Sequence, residues 1–236
     1  MLSCLLFKFL WLMGKSRFRL TGVFGGTFDP IHYGHLRVAE EITEMITLQE
    51  MRFVPAGKPR LRDAPVASCR HREAMVRIAV ESNPGFTLDE RETRSSGVSY
   101  SVETLRGLKR ELGCHSVLCF IVGADAFMRL AQWHEWREIF CLCHLIIVRR
   151  PGHEANLNRD NLLPELQEAC AQRWTTSPDD LKKVHNGLIF LAPTTLLDIS
   201  ATAIRARISS GKSVRYLLPD ATLDYIATNH LYLDKV

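Results

Sequence analysis

The stretch "GGTFDPIHYGH", residues 25–35, decides the fold, because it joins a run of β-forming residues to a helical pattern. The run, residues 18–24, predicts a strand, and Gly25 and Gly26 follow it directly. In an open α/β sheet, ligands bind where strands end and the next helices begin. Because glycine has no Cβ, the backbone N–H groups of such a turn can face a phosphate. The stretch therefore predicts a phosphate-binding turn between a strand and a helix.

The two histidines of this stretch are three residues apart. At a helix start, that spacing places His32 and His35 on one face, and Gly34 leaves room between them. The helix dipole adds positive potential at the same point. Two imidazoles and free N–H groups suit phosphoryl-group transfer by positioning and charge stabilisation.

Two other chemistries compete for the same residues. An H-x-x-H pair with a nearby aspartate could bind zinc, but the glutamate of H-E-x-x-H is missing and the glycines would be unexplained. A catalytic triad has no support, because no Ser, Cys or Lys lies beside these histidines in an elbow-like context. A third interpretation is purely structural: a glycine turn followed by a helix that a histidine caps. The H-x-G-H pattern by itself does not exclude it.

Outside this stretch, short β-rich runs alternate with amphipathic helical runs, which predicts an α/β fold with a mainly parallel sheet. Helices are expected on both faces, with a short helical part at the C-terminus. Strands are predicted at residues 18–24, 52–55, 86–89, 117–122, 145–148 and 188–191. Helical spacing marks residues 36–46, 74–79, 102–112 and 163–173, and two short helices follow residue 199.

Composition restricts the class of protein. The chain has 236 residues, is 46% hydrophobic and 24% charged, and carries a formal net charge of +4. This charge is too small and too dispersed for a duplex nucleic-acid binder, so no nucleic-acid partner is expected, and a small anionic ligand fits better. The seven cysteines are odd in number and form no C-x-x-C pair, which favours a reduced, cytoplasmic protein. Cys141, Cys143 and His144 could bind a metal, but structural thiols before the apolar "LIIV" are the preferred interpretation.

The first residues, "MLSCLLFKFLWLM", are apolar but lack a basic region before the apolar stretch and a cleavage site for export. They are also too short to span a bilayer, so no membrane partner is expected. We expect residues 1–12 to be an extension outside the fold, from an upstream start codon, and residues 13–236 to form one domain. Within that domain, residues 152–178 are polar and irregular and predict an insertion without chemistry.

The complete eleven-residue string resembles the signature of the H-x-G-H nucleotidyltransferase superfamily. "ISATAIR", residues 199–205, resembles a second motif of that superfamily. "DERETRSSGVSYSVETL" (89–105), "FIVGADAFMRLAQWHEW" (120–136) and "HLIIVRRPG" (144–152) are similar to bacterial nicotinate-nucleotide adenylyltransferases. The motifs occur in order over nearly the whole chain. The resemblance implies a Rossmann-like fold and adenylyl transfer from ATP to nicotinate mononucleotide, which gives nicotinate adenine dinucleotide and pyrophosphate in NAD synthesis.

The resemblance also implies roles for individual residues on the ATP side. His32, His35 and Arg205 would be catalytic, with His35 nearest the α-phosphate. No metal site of the protein's own is expected, and Mg²⁺ would arrive with ATP. The remaining ATP-binding positions would be Gly25, Gly26, Thr27, Phe28, Gly34, Gly123, Asp125, Ile199, Ser200 and Thr202.

On the acceptor side, the family pattern implies that Ser99, Tyr100, Ser101 and Trp133 help to bind nicotinate mononucleotide. The loop "PAGKPRLRD", residues 55–63, departs from the family's P-P-H-K or P-P-H-R, since Leu61 replaces the histidine. Lys58, Arg60 and Arg62 are therefore the candidates for the acceptor phosphate, with Lys58 and Arg62 preferred, on a loop expected to close over it. Ala201 and Ser101 are mild departures from the family's serine and threonine.

Three alternatives remain open at this point. The acceptor could be nicotinamide mononucleotide or phosphopantetheine instead, although the pyridine-site segments argue against phosphopantetheine. The chain could also be a nucleotide-binding regulatory module without turnover, against which the intact His32, His35 and Arg205 argue. The sequence gives no indication of oligomeric state.

Overall fold

Seven parallel strands form one sheet in the computed structural model, which describes residues 18–59, 64–149 and 161–233. The order across the sheet is β3-β2-β1-β4-β5-β7-β6, and every neighbouring pair is parallel. Helices lie on both faces, so this is a Rossmann-like α/β fold, as predicted. The strands are β1 (Arg19–Gly26), β2 (Glu50–Pro55), β3 (Phe86–Leu88), β4 (Ser116–Gly123), β5 (Cys143–Val148), β6 (Trp174–Thr175) and β7 (Ile189–Ala192).

Eight α-helices connect and follow these strands in the described part of the chain. They are α1 (Tyr33–Ile46), α2 (Cys69–Val80), α3 (Ser101–Leu112), α4 (Ala124–Phe127), α5 (Trp136–Leu142), α6 (Pro164–Cys170), α7 (Ala201–Ser209) and α8 (Asp220–Thr228). None of the described helices is long and apolar enough to cross a membrane.

The sheet separates two hydrophobic cores, because successive side chains of a strand point to opposite faces. In β4, Cys119 and Ile121 face one core and Leu118 and Phe120 face the other. The first core packs against α1, α2, α7 and α8, and the second against α3, α5 and α6. Burial on both faces explains why the central strands read as continuous apolar runs.

The strand order reverses between β1 and β4. From β1 the chain proceeds outward through β2 and β3, then returns to place β4 on the other side of β1. At such a switch point the loops after the two strands diverge and leave a crevice. Gly25 and Gly26 end β1, and Gly123 ends β4, so both glycine-bearing ends open into this crevice.

The predicted elements are confirmed with changes at their ends. Gly25 and Gly26 belong to β1 itself, because they pair with Val54 and Pro55 of β2, whereas the prediction ended the strand at residue 24. The segment predicted as an irregular insertion contains α6, which lies within the helix predicted at residues 163–173, and the two-residue strand β6, which was not predicted and pairs with β7. The predicted extension, residues 1–12, lies outside the described residues.

His144 is completely buried, and both of its ring nitrogens contact the backbone. The Leu188 N–H donates to Nδ1 at 3.1 Å, so the proton lies on Nε2, which donates to the Val184 carbonyl at 3.1 Å. Burial lowers the pKa of His144 to about 4 and raises that of Cys143. Neither His144 nitrogen is free to bind a metal, which supports the structural interpretation of this cluster.

Candidate active site

A cleft of about 1010 Å³ opens at the carboxyl ends of β1, β4 and β5, beside the first turns of α1 and α7. Almost all sequence-predicted site residues line it, from both the ATP and the acceptor sets. The exceptions are Lys58 and Asp125, which do not line the cleft, and Arg62, which lies outside the described residues.

His32 and His35 form the floor of the cleft at the start of α1. Their rings stack with centroids 3.8 Å apart and planes inclined by 30°. His32 is the N-cap residue and is 6% exposed, while His35 lies edge-on to Phe24 and Phe28. The first turn of α1 contains no acidic side chain, so nothing on it neutralises the positive end of the helix dipole. The pair is therefore rigid and favours an anion.

The loop that connects β1 to the histidines is tightly packed. Phe28 has a φ of 48°, a conformation that is costly for a residue with a Cβ, and its ring lies over Gly26. A Cβ on Gly26 would come within 3.0 Å of that ring. Gly26 is therefore required for packing as well as for access of a ligand to the backbone.

The start of α7 faces the start of α1 across the cleft. The Ser200 hydroxyl accepts from the Ala203 N–H at 3.2 Å and so caps α7, as predicted. Arg205, one turn further, donates from Nη1 to the Asp29 carbonyl at 2.7 Å and from Nη2 to the Thr202 hydroxyl at 3.4 Å. Two helix N-termini and a fixed guanidinium thus converge on one region, which is a strong arrangement for phosphate groups.

Asp29 has a supporting role that the sequence interpretation missed. Its carboxylate accepts from the Val66 N–H at 2.7 Å, the Ala67 N–H at 3.1 Å and the Tyr232 hydroxyl at 2.7 Å. Burial, and then the Asp29 charge, raise the pKa of Tyr232. Asp29 therefore joins the loop before α2, the C-terminal segment and, through its carbonyl, Arg205. Its presence in "GGTFDP" was the only available signal, because Tyr232 lies 203 residues away.

On the opposite side of the cleft, Ser99 holds a loop. Its hydroxyl oxygen accepts from the N–H groups of Gly57 at 3.1 Å and Lys58 at 3.2 Å, and its own N–H donates to the Lys58 carbonyl. A bridge between Pro59 and Ser99 extends this pairing. The predicted acceptor-site serine thus determines where residues 57–59 lie.

Aromatic side chains form the wall beyond Ser99. Trp133 lies edge-on to Phe120 with centroids 6.2 Å apart, and both line the cleft. The Tyr100 ring packs against His134 at 4.5 Å. His134, which the sequence interpretation did not single out, also lines the cleft. This wall offers flat apolar faces with polar edges, which suits a planar ring.

Two predicted residues have other contacts. Lys58 is exposed, and its ammonium donates to the Ser96 carbonyl at 2.9 Å. Asp125 lies in α4, 3.9 Å from Arg129 in an ion pair, and Arg129 lines the cleft in its place. Being near the end of a strand is not enough for a side chain to enter the cleft, because the turn of the following helix decides which residues face it. In α4 the residue that faces the cleft is Ala126 and not Asp125.

Glu92 places a carboxyl group in the wall of the cleft. The pKa of Glu92 is raised, because the effect of burial exceeds that of its hydrogen bonds. The hydrogen bonds come from Thr104, Ser99 and the Gly57 N–H, and each of them lowers the pKa. The Thr104 hydroxyl donates to Glu92 Oε1 at 2.6 Å. Across residues 18–59, 64–149 and 161–233, no group of three or more His, Cys, Asp or Glu side chains could hold a metal ion.

The comparisons with known proteins cover nearly the whole chain. Residues 23–207 match the model of the cytidylyltransferase-like family. A Methylococcus capsulatus protein is 41% identical over 90% of this chain and 99% of its own length. A Dechloromonas aromatica protein is 44% identical over 89% of this chain and 96% of its own length. Both bear the name nicotinate-nucleotide adenylyltransferase.

A solved structure of similar fold is the Plasmodium falciparum nicotinic acid mononucleotide adenylyltransferase complexed with NaAD. It superposes with a TM-score of 0.67 and 20% identity, and the match covers 91% of this chain and 97% of that one. A second structure of the Plasmodium protein, complexed with APC, gives a TM-score of 0.65.

Proposed function

The chain belongs to the nicotinate-nucleotide adenylyltransferase family within the cytidylyltransferase-like proteins, and on this premise we propose that it transfers the adenylyl group of ATP to nicotinate mononucleotide. The products are nicotinate adenine dinucleotide and pyrophosphate, in a step of NAD synthesis. The observation that carries the proposal is the meeting of the stacked His32 and His35 with the start of α7 and Arg205 at the switch point of the sheet.

On the donor side, the phosphates of ATP bind between α1 and α7. His35 and His32 donate to the α-phosphate region, while Arg205, Thr202 and the N–H groups at the start of α7 hold the departing phosphates. The donor loop, defined as residues 25–29, contributes backbone contacts through Gly25, Gly26, Thr27 and Phe28, and Gly34 and Ile199 border the same space. Gly123 places the end of β4 near the adenosine, and Asp125 acts there through Arg129.

On the acceptor side, the pyridine ring of nicotinate mononucleotide lies against Trp133 and Tyr100. Ser101, at the start of α3, offers a hydroxyl and the positive end of a helix. Ser99 acts through the acceptor loop, defined as residues 56–59, because its oxygen already accepts two backbone hydrogen bonds from that loop. Lys58 and Arg62 supply positive charge to the acceptor phosphate from the same part of the chain.

The reaction is an in-line displacement. An oxygen of the 5′-phosphate of nicotinate mononucleotide attacks the α-phosphorus of ATP, and a new phosphoanhydride bond forms. The bond from the α-phosphorus to the oxygen bridging to the β-phosphate breaks, and its electron pair leaves with pyrophosphate. No covalent intermediate on the protein is required, so catalysis consists of holding both phosphates in line and stabilising the charge that develops.

A divalent cation, Mg²⁺, enters with ATP and screens the phosphate charge in this proposal. The donor set supports delivery by the nucleotide, because the buried carboxylate of the donor loop, Asp29, is engaged by three protein donors. We propose cytoplasmic activity, consistent with free thiols at the described cysteines, such as the buried Cys119 and Cys170.

The assay combines purified protein with ATP, Mg²⁺ and either nicotinate mononucleotide or its amide analogue, and follows pyrophosphate and dinucleotide. We expect stoichiometric pyrophosphate and nicotinate adenine dinucleotide. Strong preference for the amide would identify nicotinamide mononucleotide as the acceptor, and turnover in a parallel assay with phosphopantetheine, but with neither mononucleotide, would identify phosphopantetheine instead. Nucleotide binding without any product would identify a regulatory module and refute the proposal.

A further inference from the structure

Arg72 is an arginine buried beneath the two substrate loops. It lies on α2, is 1% exposed, and is among the largest fully buried side chains of the described residues. Its Nη1 donates to the Thr27 carbonyl at 2.8 Å, and its Nη2 donates to the Gly57 carbonyl at 3.2 Å. Both partners are neutral backbone groups, and Nε has no hydrogen-bond partner in the described part of the chain.

This placement is energetically expensive. Burying a guanidinium removes its hydration, and carbonyl dipoles compensate for this less completely than a carboxylate would. The other buried positions of the same helix face are apolar, namely Met75, Val76 and Val80. A methionine at position 72 would continue that face without the cost of desolvation, so folding alone does not account for an arginine there.

The two carbonyls belong to the two loops that carry the substrates. Thr27 is part of the donor loop, and Gly57 is part of the acceptor loop. The loops also touch directly, because the Ala56 N–H donates to the Gly26 carbonyl at 2.8 Å. A Cβ on Gly57 would lie 2.2 Å from the Glu92 carbonyl oxygen, so the backbone at Gly57 packs directly against Glu92 on that side. The planar fork of Arg72 therefore spans the junction and fixes the separation of Thr27 and Gly57.

We propose that Arg72 is a positioning residue that holds the donor and acceptor loops at one separation, so that the two reacting phosphates meet in line. This inference rests on the proposed function, since it assigns one substrate to each loop. Arg72 touches neither substrate. Without it, each loop still binds its own ligand, but their relative placement is no longer fixed, and a misplacement of about 1 Å can cost about 100-fold in rate.

The test compares Arg72→Met and Arg72→Lys with Val76→Ala, a matched control. Val76 is fully buried on the same helix face and contributes to the core, so its truncation weakens α2 without touching either loop. We expect the kcat of Arg72→Met to fall at least about 10-fold, while the Kd of ATP alone and of nicotinate mononucleotide alone changes less than about 3-fold. Arg72→Lys keeps the charge but not the planar fork, so it should lose most of the turnover as well.

Hydrogen exchange of the unliganded protein provides a readout that does not depend on turnover. The amides of residues 56–58 should exchange faster in both Arg72 variants and at the wild-type rate in Val76→Ala. If Arg72→Met fails to fold, Arg72→Lys carries the same comparison. The proposal would be overturned if Arg72→Met kept a kcat within about 3-fold of the wild-type value. It would also be overturned if residues 56–58 of that variant exchanged at the wild-type rate, or if Arg72→Lys had full turnover. If the wild type forms no dinucleotide, the proposed function fails, and the exchange experiment still decides whether Arg72 fixes the loops.

Discussion

Replacing Gly34 by alanine is expected to lower the turnover of this protein while leaving its stability nearly unchanged. Gly34 is the second residue of α1 and lies between the two histidines. A Cβ at this position would lie 3.0 Å from both Cε1 and Nδ1 of the His32 ring and 3.5 Å from the Ile199 carbonyl oxygen. The first of these contacts is too close for an sp³ carbon against an imidazole, so the ring must shift by a few tenths of an ångström.

The magnitudes follow from the surroundings of His32. Alanine improves helix propensity by up to about 1 kcal/mol relative to glycine. The His32 ring cannot move towards His35, because the rings already stack at 3.8 Å, and at 6% exposure it has little free space elsewhere. The imidazole therefore leaves its position relative to the proposed α-phosphate site. We expect kcat to fall by about 10-fold or more, while the free energy of unfolding changes by less than about 1 kcal/mol.

The assay pairs steady-state pyrophosphate release with urea unfolding. The matched control is Gly107→Ala, another glycine-to-alanine change within a helix, α3, away from the cleft. There the new Cβ would meet only Nη1 of Arg91, at 2.9 Å, and the end of a flexible side chain can move aside. We expect Gly107→Ala to be stabilised by about 0.5–1 kcal/mol with wild-type turnover.

Turnover of Gly34→Ala within about 3-fold of wild type would refute the reasoning, because the position of the His32 ring would then not limit the reaction. A loss of stability of several kcal/mol would also refute it, since the clash would then be relieved by the backbone of α1 instead of the ring.

Three other predictions concern single side chains. His35→Ala should lower kcat about 100-fold if the imidazole stabilises transferring charge; near-normal turnover would return His35 to a structural role. Tyr232→Phe removes the donor to the buried Asp29 carboxylate and should lower the free energy of unfolding by about 1.5–3 kcal/mol, and equal urea midpoints would contradict this. Because the pKa of His144 is lowered from 6.5 to about 4, its neutral form stabilises the fold above pH 6.5. That stability is lost as the pH falls towards 4, by up to about 3 kcal/mol, and His144→Gln should show a flatter pH dependence of unfolding than wild type.

The local features of the site could be predicted from the sequence because they depend on spacing within one element. The three-residue separation of His32 and His35 determines their stacking once α1 begins at Tyr33. The cap at Ser200 depends only on the first turn of α7. The change from a β-rich to a helical pattern places Gly25 and Gly26 at a strand end. The prediction put them just after the strand, whereas they are its last two residues.

The supporting contacts could not be predicted, because they join residues far apart in sequence. Tyr232 reaches Asp29 across 203 positions and Arg205 reaches the same residue across 176. Arg72, on the face of α2 that the apolar pattern marks as buried, gives no local sign that its guanidinium has backbone partners. Lys58 was predicted from the basic residues of its loop and Asp125 from its position after a strand end, whereas the direction of each side chain depends on the loop and helix geometry around it.

The two sides of the cleft are held by different interactions. This difference decides on which side the sequence can change without disturbing the hydrophobic core. The donor side is formed by the end of β1 and the starts of α1 and α7, whose residues Ile42 and Ile204 are completely buried. Residues 56–59 of the acceptor loop are half-buried or exposed and are held by hydrogen bonds. A substitution of a core residue of these helices, such as Ile42 or Ile204, therefore disturbs the core and the proposed phosphate site together, whereas one at the exposed Lys58 of the acceptor loop leaves both intact. For this reason, the departure of "PAGKPRLRD" from the family's loop pattern is compatible with an unchanged phosphate site.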